Sequence, residues 1–351
     1  MDSQYTNCQT MVNTLKNYLY KYKLARGLKE FEKTGTTTVG AYAALRQRFI
    51  STSGKSNDEI SAAINQKVGK YDNVVAKGVL GNLSDKDLSA MVNAMKRDGY
   101  YIFDKLLPDN LVNDIYNYGL NIPCNYLDVN TNDYSVQEVL FDPNTPISPR
   151  YQFSNKAIVD LPAIQELLFD QSLLAFAQEY LGTKPILDLI AYWWSLPFNG
   201  KGKSAAAQMY HFDMDRIKFM KFFFYLTDVD TDTGPHCYVK GSHNTLPKSL
   251  SRDGRFTDEE IEATYGADNL IEICGKRGSI IAVDTRGFHK GKELVKDTRL
   301  IFQIEFANSM FGQTYPPTPI KFVNDDFRSI AHKYPHTYSQ ILIEHSQQKD
   351  Q

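Results

Sequence analysis

Three side chains that can bind a metal ion lie within five positions of the segment "QMYHFDMDRIKFMKFFFYL": His211, Asp213 and Asp215. Side chains two residues apart on an extended chain point to the same side, so His211 and Asp213 can aim at one point, with Asp215 further along. An imidazole nitrogen and a carboxylate oxygen make two ligands of a metal site. The pattern alone is weak, because the same residue types also serve on surfaces and in hydrogen-bonded cores, and it does not decide between the aspartates.

A third ligand must come from another part of the chain, which contains seven histidines. Most of the others lie in the loop "GPHCYVKGSH" or in the polar C-terminal tail, which leaves His289 at the end of the apolar segment "GSIIAVDTRGFH". We expect His289 to end a strand, because the rim of a rigid sheet suits a metal ligand. Two histidines and one carboxylate with open coordination positions form the facial triad of non-haem Fe(II) oxygenases.

An arginine opens a further strand ten residues after this histidine. We expect the chain to reverse near Leu294, which would bring the histidine and the arginine together across a hairpin. One face of the strand then carries Arg299, Ile301, Gln303 and Glu305, opposite a purely apolar face. That face is either the solvated side of a sheet or the wall of a pocket in which Arg299 pairs with a carboxylate. The second interpretation is the chemistry of 2-oxoglutarate use, in which the distal carboxylate needs a cationic anchor.

Three stretches taken together resemble the phytanoyl-CoA dioxygenase family of Fe(II)/2-oxoglutarate oxygenases. They are the His211-Phe212-Asp213 motif, "FYLTDVDTDTGPHCYVKGSHNT", and "GSIIAVDTRGFHKG" followed by Arg299. Their order and separation are far more specific than any one of them. The stretch "RDGYYIFDKLLPDNLVNDI" also resembles the opening helix–strand–helix segment of the family. The resemblance covers roughly residues 85–310 and leaves the first 84 residues outside it.

The resemblance implies an α+β fold with a double-stranded β-helix, or cupin-like jelly roll, flanked by helices. It implies that His211, Asp213 and His289 bind Fe(II), and that Arg299 holds the C5 carboxylate of 2-oxoglutarate, with O2 as the second cosubstrate. Family members also often place an aromatic residue of the next strand beside the cosubstrate. The further candidates for cosubstrate contact are Phe223 or Tyr225, and Gln303 on the face of the arginine.

The expected reaction is hydroxylation of a substrate C–H bond, coupled to oxidative decarboxylation of 2-oxoglutarate to succinate and CO2. Some relatives replace the metal-binding aspartate with a small residue and halogenate, so the presence of Asp213 favours hydroxylation. Ser279 stands where the family often has an acidic residue, a position that concerns turn geometry. Desaturation, cyclisation and epimerisation on the same scaffold stay open, as does a binding protein without turnover. A zinc hydrolase is a poorer match, because the chain has no HExxH motif and Arg299 would have no role.

The elements that must position these residues change in character along the chain. Residues 1–84 carry helical apolar spacing and predict a helical N-terminal extension, and residues 85–351 predict the oxygenase domain. Helices up to about Gly182 are followed by apolar or alternating strands such as "FMKFFFYLTDV" and "RLIFQIEFAN". Between Lys16 and Arg48 there are eight basic and two acidic residues, which indicates either a solvated helical face or a docking surface for an acidic partner.

Composition excludes several other classes of protein. A net charge of −2 argues against nucleic-acid binding, and four scattered cysteines argue against a zinc ribbon or a disulfide framework. The Gly-Lys-Ser at 202–204 lacks the upstream glycine of a phosphate-binding loop, so we predict a plain loop there. No signal peptide or apolar run of membrane-spanning length is present, so we expect a soluble, cytoplasmic protein with no membrane partner. The expected partners are a small-molecule or carrier- or CoA-linked substrate and, through the N-terminal helices, a second copy of the chain.

Overall fold

The described residues form ten α-helices, and three of these come first along the chain. The computed structural model describes residues 2–198 and 208–344, so the loop predicted at 202–204 lies outside the described residues. Within these residues no helix combines the length and apolar character that crossing a membrane requires. The helices are α1 (Asp2–Thr34), α2 (Val39–Thr52), α3 (Lys55–Val68), α4 (Asp85–Asp98), α5 (Asp109–Asn121), α6 (Asn155–Ile158), α7 (Pro162–Leu168), α8 (Gln171–Leu181), α9 (Asp258–Tyr265) and α10 (Asp325–Lys333).

The strands gather mainly in the second half of the chain, as the sequence predicted. Short 3₁₀ helices at residues 248–250 and 267–269 interrupt them. The strands are β1 (Lys77–Gly78), β2 (Gly81–Asn82), β3 (Tyr100–Ile102), β4 (Cys124–Asp128), β5 (Asp133–Val139), β6 (Arg150–Gln152), β7 (Ile186–Ser195), β8 (Phe219–Tyr225), β9 (His236–Val239), β10 (Leu270–Ile273), β11 (Ile280–Val283), β12 (His289–Gly291), β13 (Arg299–Ala307), β14 (Thr318–Ile320) and β15 (Ile341–Ile343).

Two antiparallel sheets face each other across a cavity. The larger has eight strands in the order β3-β11-β8-β13-β7-β6-β4-β5, and the smaller has three in the order β10-β9-β12. After β8 the chain passes to β9 and β10 of the small sheet, returns to β11, crosses again to β12 and returns to β13. These crossings from one sheet to the other are those of a jelly roll. The predicted α+β jelly-roll core is confirmed, and so is the opening helix–strand–helix segment, formed by α4, β3 and α5.

The central strand β13 shows why this sequence forms a two-faced sheet. Leu300, Phe302 and Ile304 join the main hydrophobic core between the large sheet and the helices that cover it. Arg299 and Gln303 alternate with them and line the cavity on the other side. All nine residues of the strand are buried, so the polar face is the wall of a pocket and the solvated-sheet interpretation is wrong.

The N-terminal helices pack directly on the segment that carries the candidate metal ligands. Residues Leu24, Ala41, Ala44 and Leu45 of α1 and α2 form a cluster with Ile217 and Phe311. Phe212 lies in the sequence between the candidate ligands His211 and Asp213, and the centre of its ring is 5.4 Å from that of Phe49 in α2. The Asn57 amide donates a hydrogen bond of 3.0 Å to the carbonyl of Ile217. The domain boundary at residue 84 stays a prediction. The N-terminal helices nevertheless pack against the segment that carries His211 and Asp213.

Replacing Phe49 with alanine is therefore expected to destabilise the folded protein by about 3 kcal/mol, because it leaves a cavity behind Phe212. The measurement is the free energy of unfolding in urea. Tyr22→Ala is the matched control, since Tyr22 lies on α1 with 59% of its surface exposed and an exposed truncation is expected to change stability by about 0.5 kcal/mol or less. Similar losses in the two variants would show that this packing contributes little.

Candidate functional site

The first two candidate ligands lie on an extended segment that leads into β8 without belonging to a regular strand. His211 and His289 exchange backbone hydrogen bonds of 3.0 and 2.9 Å, which fixes the two residues opposite each other. The amide of Asp213 donates to the carbonyl of Thr285 at 2.7 Å. The backbone therefore ties this segment to β12 and to the loop before it, and brings together ligands that are far apart in sequence.

The position of His289 differs from the expectation. The apolar strand β11 ends at Val283, and His289 instead begins the next strand, β12. The loop between them is held by Asp284, which accepts hydrogen bonds from Tyr180 at 2.6 Å and from the Arg286 guanidinium at 2.7 Å. Gly287 lies so close to Tyr238 that an added Cβ would overlap with the hydroxyl oxygen of that tyrosine. A side chain there would displace the loop that presents the histidine.

Both histidines present the same ring nitrogen to the aspartate. Nδ1 of His211 lies 2.9 Å from the carbonyl of Met209, and Nδ1 of His289 lies 3.0 Å from that of Gly287. A carbonyl only accepts, so each Nδ1 carries the hydrogen and each Nε2 keeps its lone pair. The Nε2 atoms lie 3.7 and 3.5 Å from the two carboxylate oxygens of Asp213. The three ligand atoms are within 4.8 Å of one another, so one ion can contact all three.

The electrostatics of the three residues fit a metal site. Burial lowers the pKa of His211 to about 3, with a further contribution from neighbouring His289. Burial likewise lowers the pKa of His289. Burial acts to raise the pKa of Asp213, but the charge of Lys221 and the two histidines outweigh it, and the net pKa lies below its ordinary value. At neutral pH the site therefore offers two neutral imidazoles and one carboxylate, which is the protonation state that a metal ion requires.

Arg299 is a buried cation without an anionic partner. Only 6% of its surface is exposed, and among the described residues no carboxylate lies within ion-pair distance of its guanidinium. Within the described ranges, its one side-chain hydrogen bond is a 3.4 Å contact from Nη2 to the Ser195 hydroxyl, and its Nε has no partner. Burial lowers its pKa to about 10, so it stays charged at neutral pH. Such a group fits the free carboxylate of a bound 2-oxo acid.

The predicted hairpin between His289 and Arg299 is wrong. Strand β12 pairs with β9 in the small sheet, whereas β13 pairs with β7 and β8 in the large sheet. The two residues nevertheless line the same cavity of about 360 Å³, because the sheets face each other. The cavity has space between the candidate ligands and the arginine, which is what a bridging cosubstrate needs.

The other predicted cosubstrate contacts divide into two groups. Phe223 and Gln303 lie opposite each other on β8 and β13, and both line the cavity. Tyr225 is not among the lining residues, because its hydroxyl donates to the carbonyl of Ile273 at 2.8 Å and accepts from the amide of His236 at 3.2 Å. His236 itself lines the cavity, with its ring 5.3 Å from that of His289. Its buried Nε2 has no hydrogen-bond partner in the part of the chain that the structure describes.

Comparison with known proteins gives the family. A family model described as phytanoyl-CoA dioxygenase matches residues 95–295, which is more than half of the chain. The chain belongs to the phytanoyl-CoA dioxygenase family. The enzymes of this family are Fe(II)- and 2-oxoglutarate-dependent oxygenases, so the chain is an oxidoreductase of this class, with the Fe(II), 2-oxoglutarate and O2 that the sequence predicted. Among curated proteins, none matches this sequence.

Several solved structures are distantly similar to this family member. AviO1 from Streptomyces viridochromogenes Tue57 is 16% identical over 64% of this chain and 96% of its own, with a TM-score of 0.42. The epimerase SnoN, in complex with Fe3+, alpha ketoglutarate and nogalamycin RO, is 15% identical over 64% and 84%, with a TM-score of 0.46. EctD from S. alaskensis is 15% identical over 71% and 89%, with a TM-score of 0.45. The family assignment rests on the family model and not on these similarities.

Lys221 is a member of the site that the sequence analysis missed. Its ammonium group is buried and lies 2.7 Å from Asp213 Oδ2, 3.1 Å from Asp215 Oδ2 and 3.4 Å from Glu305 Oε2. Burial raises the pKa of Glu305 well above its ordinary value, which favours its protonated form and leaves the two aspartates as the counter-charges. In the sequence it is a lone lysine in the apolar run "FMKFFFY", and in the structure it lines the cavity together with Phe223, two residues further along β8. Lys221 occupies one oxygen of Asp213 and leaves Oδ1 free.

Lys221→Met is expected to destabilise the metal-free protein by about 3 kcal/mol or more, because it leaves two closely spaced carboxylates without a counter-charge. Urea unfolding of the metal-free protein measures this loss. Lys276→Met is the control, because Lys276 pairs with Asp228 at 3.4 Å in an exposed position, where an ion pair contributes about 1 kcal/mol or less. An equally small loss at Lys221 would show that the aspartates do not depend on its charge.

Proposed function

We propose that this chain hydroxylates a C–H bond of a small-molecule substrate, and that His211, Asp213 and His289 are its iron ligands. The observation that carries the proposal is the pairing of this cluster with an unpartnered arginine in one cavity. Two neutral imidazoles and a carboxylate leave coordination positions open for a chelating 2-oxo acid and O2. The free guanidinium of Arg299 supplies the anchor for the far carboxylate of that acid.

The protein's own part in the reaction is binding, orientation and exclusion of water. Bound Fe(II), with 2-oxoglutarate and O2, supplies the oxidising power for C–H cleavage. Each histidine is held in one tautomer by the backbone carbonyl of the residue two positions before it. The orientation of its ring therefore does not depend on the metal. Phe223 and Ile301 give the cavity apolar walls, and Gln303 offers a hydrogen-bonding group beside the cosubstrate. The contacts of Phe223 and Gln303 with the cosubstrate are part of the proposal. Tyr225 does not line the cavity and has only a structural part, through its hydrogen bonds to the backbone of Ile273 and His236.

Hydroxylation is the outcome we propose, because the aspartate that halogenating relatives lack is present here as Asp213. Desaturation, cyclisation and epimerisation would use the same ligands and differ in the product alone. A protein that only binds its substrate would not need a cluster of candidate metal ligands in the same cavity as an arginine buried without a counter-ion, since an unpaired charge costs stability. The intact cluster and Arg299 therefore support turnover.

The test is succinate production by protein loaded with Fe(II) without oxygen and then given 2-oxoglutarate and O2. Candidate substrates are screened in parallel, and mass spectrometry identifies a product heavier by one oxygen atom, lighter by two hydrogens, or of unchanged mass. His289→Ala is the control variant and is expected to give no succinate. Iron-loaded wild-type protein that forms no succinate with any candidate, while binding both iron and 2-oxoglutarate, would contradict the proposal.

A further inference from the structure

A second arginine faces the same cavity at its outer part. Arg150 begins β6, where it lies opposite Ser195 of β7 in the strand register. Arg299 lies opposite the same serine on the other side of β7. The two arginines thus occupy the same register position on the two strands that flank β7, and their backbones are about 10 Å apart, which is twice the spacing between neighbouring strands. Both line the cavity, but Arg150 is only partly buried, whereas Arg299 is buried deeply.

Arg150 has no anion to pair with in the described part of the chain. Its guanidinium carbon lies 4.6 Å from the centre of the Trp193 ring. Among the described residues, the one hydrogen bond of its side chain is a 3.4 Å contact from Nη2 to the Gln152 amide oxygen. Its Nε is buried without a partner. Contact with the ring orients the guanidinium, but it leaves the hydrogen-bond donors of the fork available to an oxyanion.

When the charges that line the cavity are added up, the positive charge of Arg150 has no negative charge to balance it. The charged side chains among the described lining residues, apart from the neutral histidines, are Arg150, Asp213, Asp215, Lys221 and Arg299. Lys221 and Arg299 balance the two aspartates, and under the proposed function Fe(II) balances the two charges of 2-oxoglutarate. Arg150 then remains as one uncompensated positive charge beside the entrance, and such a site attracts a ligand of the opposite charge.

We propose that the substrate carries an oxyanion group, a carboxylate or a phosphate, and that Arg150 holds it at the outer part of the cavity. The apolar part of such a substrate would lie along Trp193, Ala191 and Ile301 towards the metal ligands. Arg150 would act as a specificity residue, because it contacts the anionic end and not the bond that reacts. This inference rests on the proposed function, since it assigns both carboxylates of 2-oxoglutarate to the metal and Arg299.

The experiment compares matched anionic and neutral ligands on protein loaded with Mn(II) and saturating 2-oxoglutarate, without oxygen. The probes are butanoate, hexanoate and octanoate, the corresponding alkyl phosphates, and the corresponding amides, with affinity measured by calorimetry. We expect the best anion to bind at least about tenfold more tightly than its amide, as loss of a charge-assisted hydrogen bond predicts. The comparison of carboxylate with phosphate identifies which oxyanion fits.

Arg150→Gln is expected to remove this preference while leaving the affinity for 2-oxoglutarate within about twofold of the wild type. Arg277→Gln is the matched control, because Arg277 also lies over an aromatic ring, at 4.7 Å from Tyr116, but outside the cavity lining. An anion preference that is absent, or that survives in Arg150→Gln, overturns the proposal. A tenfold loss of 2-oxoglutarate affinity in Arg150→Gln also overturns it, since Arg150 would then serve the cosubstrate. Wild-type protein that binds no 2-oxoglutarate would refute the proposed function itself.

Discussion

Asp213→Ala is expected to abolish tight binding of a divalent metal ion, whereas Asp215→Ala is expected to leave it largely intact. Both aspartates contact Lys221, but of the two only Asp213 has its carboxylate near the histidines, within 3.7 Å of both Nε2 atoms. Under the proposed function, Asp213 is the anionic member of the candidate cluster, so its loss would remove both a bond and the charge that attracts the ion. Calorimetry with Mn(II), or with Fe(II) in the absence of oxygen, measures the difference.

The two aspartates are well matched for this comparison. Their side chains are similarly exposed, at 22% and 18%, and each pairs with Lys221. Each variant therefore removes one counter-charge from the same lysine, and any general effect on the buried charges is common to both. Equal loss of metal binding in the two variants would show that Asp213 has no special role as a ligand. Thermal unfolding of both variants without metal checks that each is folded.

The site could be predicted from sequence where its members carry local patterns. The pair His211 and Asp213 shows two-residue spacing, and His289 and Arg299 each border an apolar run, so their types and order were enough to indicate an iron site. Lys221 and Arg150 carried no such signal. A lysine inside an apolar strand, or an arginine at the start of a three-residue strand, gains its meaning from the sheet neighbours that the fold supplies.

The errors in the sequence analysis have the same origin. A ten-residue spacing suggested a hairpin, but β12 belongs to the small sheet and β13 to the large one, so His289 and Arg299 face the cavity from opposite sheets and do not share an edge. The N-terminal helices themselves follow from their helical apolar spacing, but the surface on which they pack does not. Their contacts with Phe212 and Ile217 depend on a sequence separation of more than 150 residues, which periodicity within a helix cannot reveal. Self-association through these helices stays a prediction.

Arg299→Gln is expected to weaken 2-oxoglutarate binding by about 100-fold, or about 3 kcal/mol, while metal affinity stays close to that of the wild type. The buried guanidinium has no anionic partner among the residues that the structure describes, so the cosubstrate carboxylate would gain two charge-assisted hydrogen bonds without displacing an ion pair there. Arg299→Lys keeps the charge but loses the planar fork, and it is expected to recover only part of the affinity.

Calorimetric titration of Mn(II)-loaded protein with 2-oxoglutarate separates this role from a structural one. A variant that merely misfolds would lose Mn(II) affinity as well, whereas loss of the anchor changes the second titration alone. Removing a buried unpaired charge is also expected to leave stability unchanged or to raise it, so urea unfolding should show no loss in Arg299→Gln. Wild-type affinity for 2-oxoglutarate in this variant would mean that another cation, Arg150 foremost, holds the far carboxylate. That result would exchange the roles assigned to the two arginines and remove the basis for an anionic substrate.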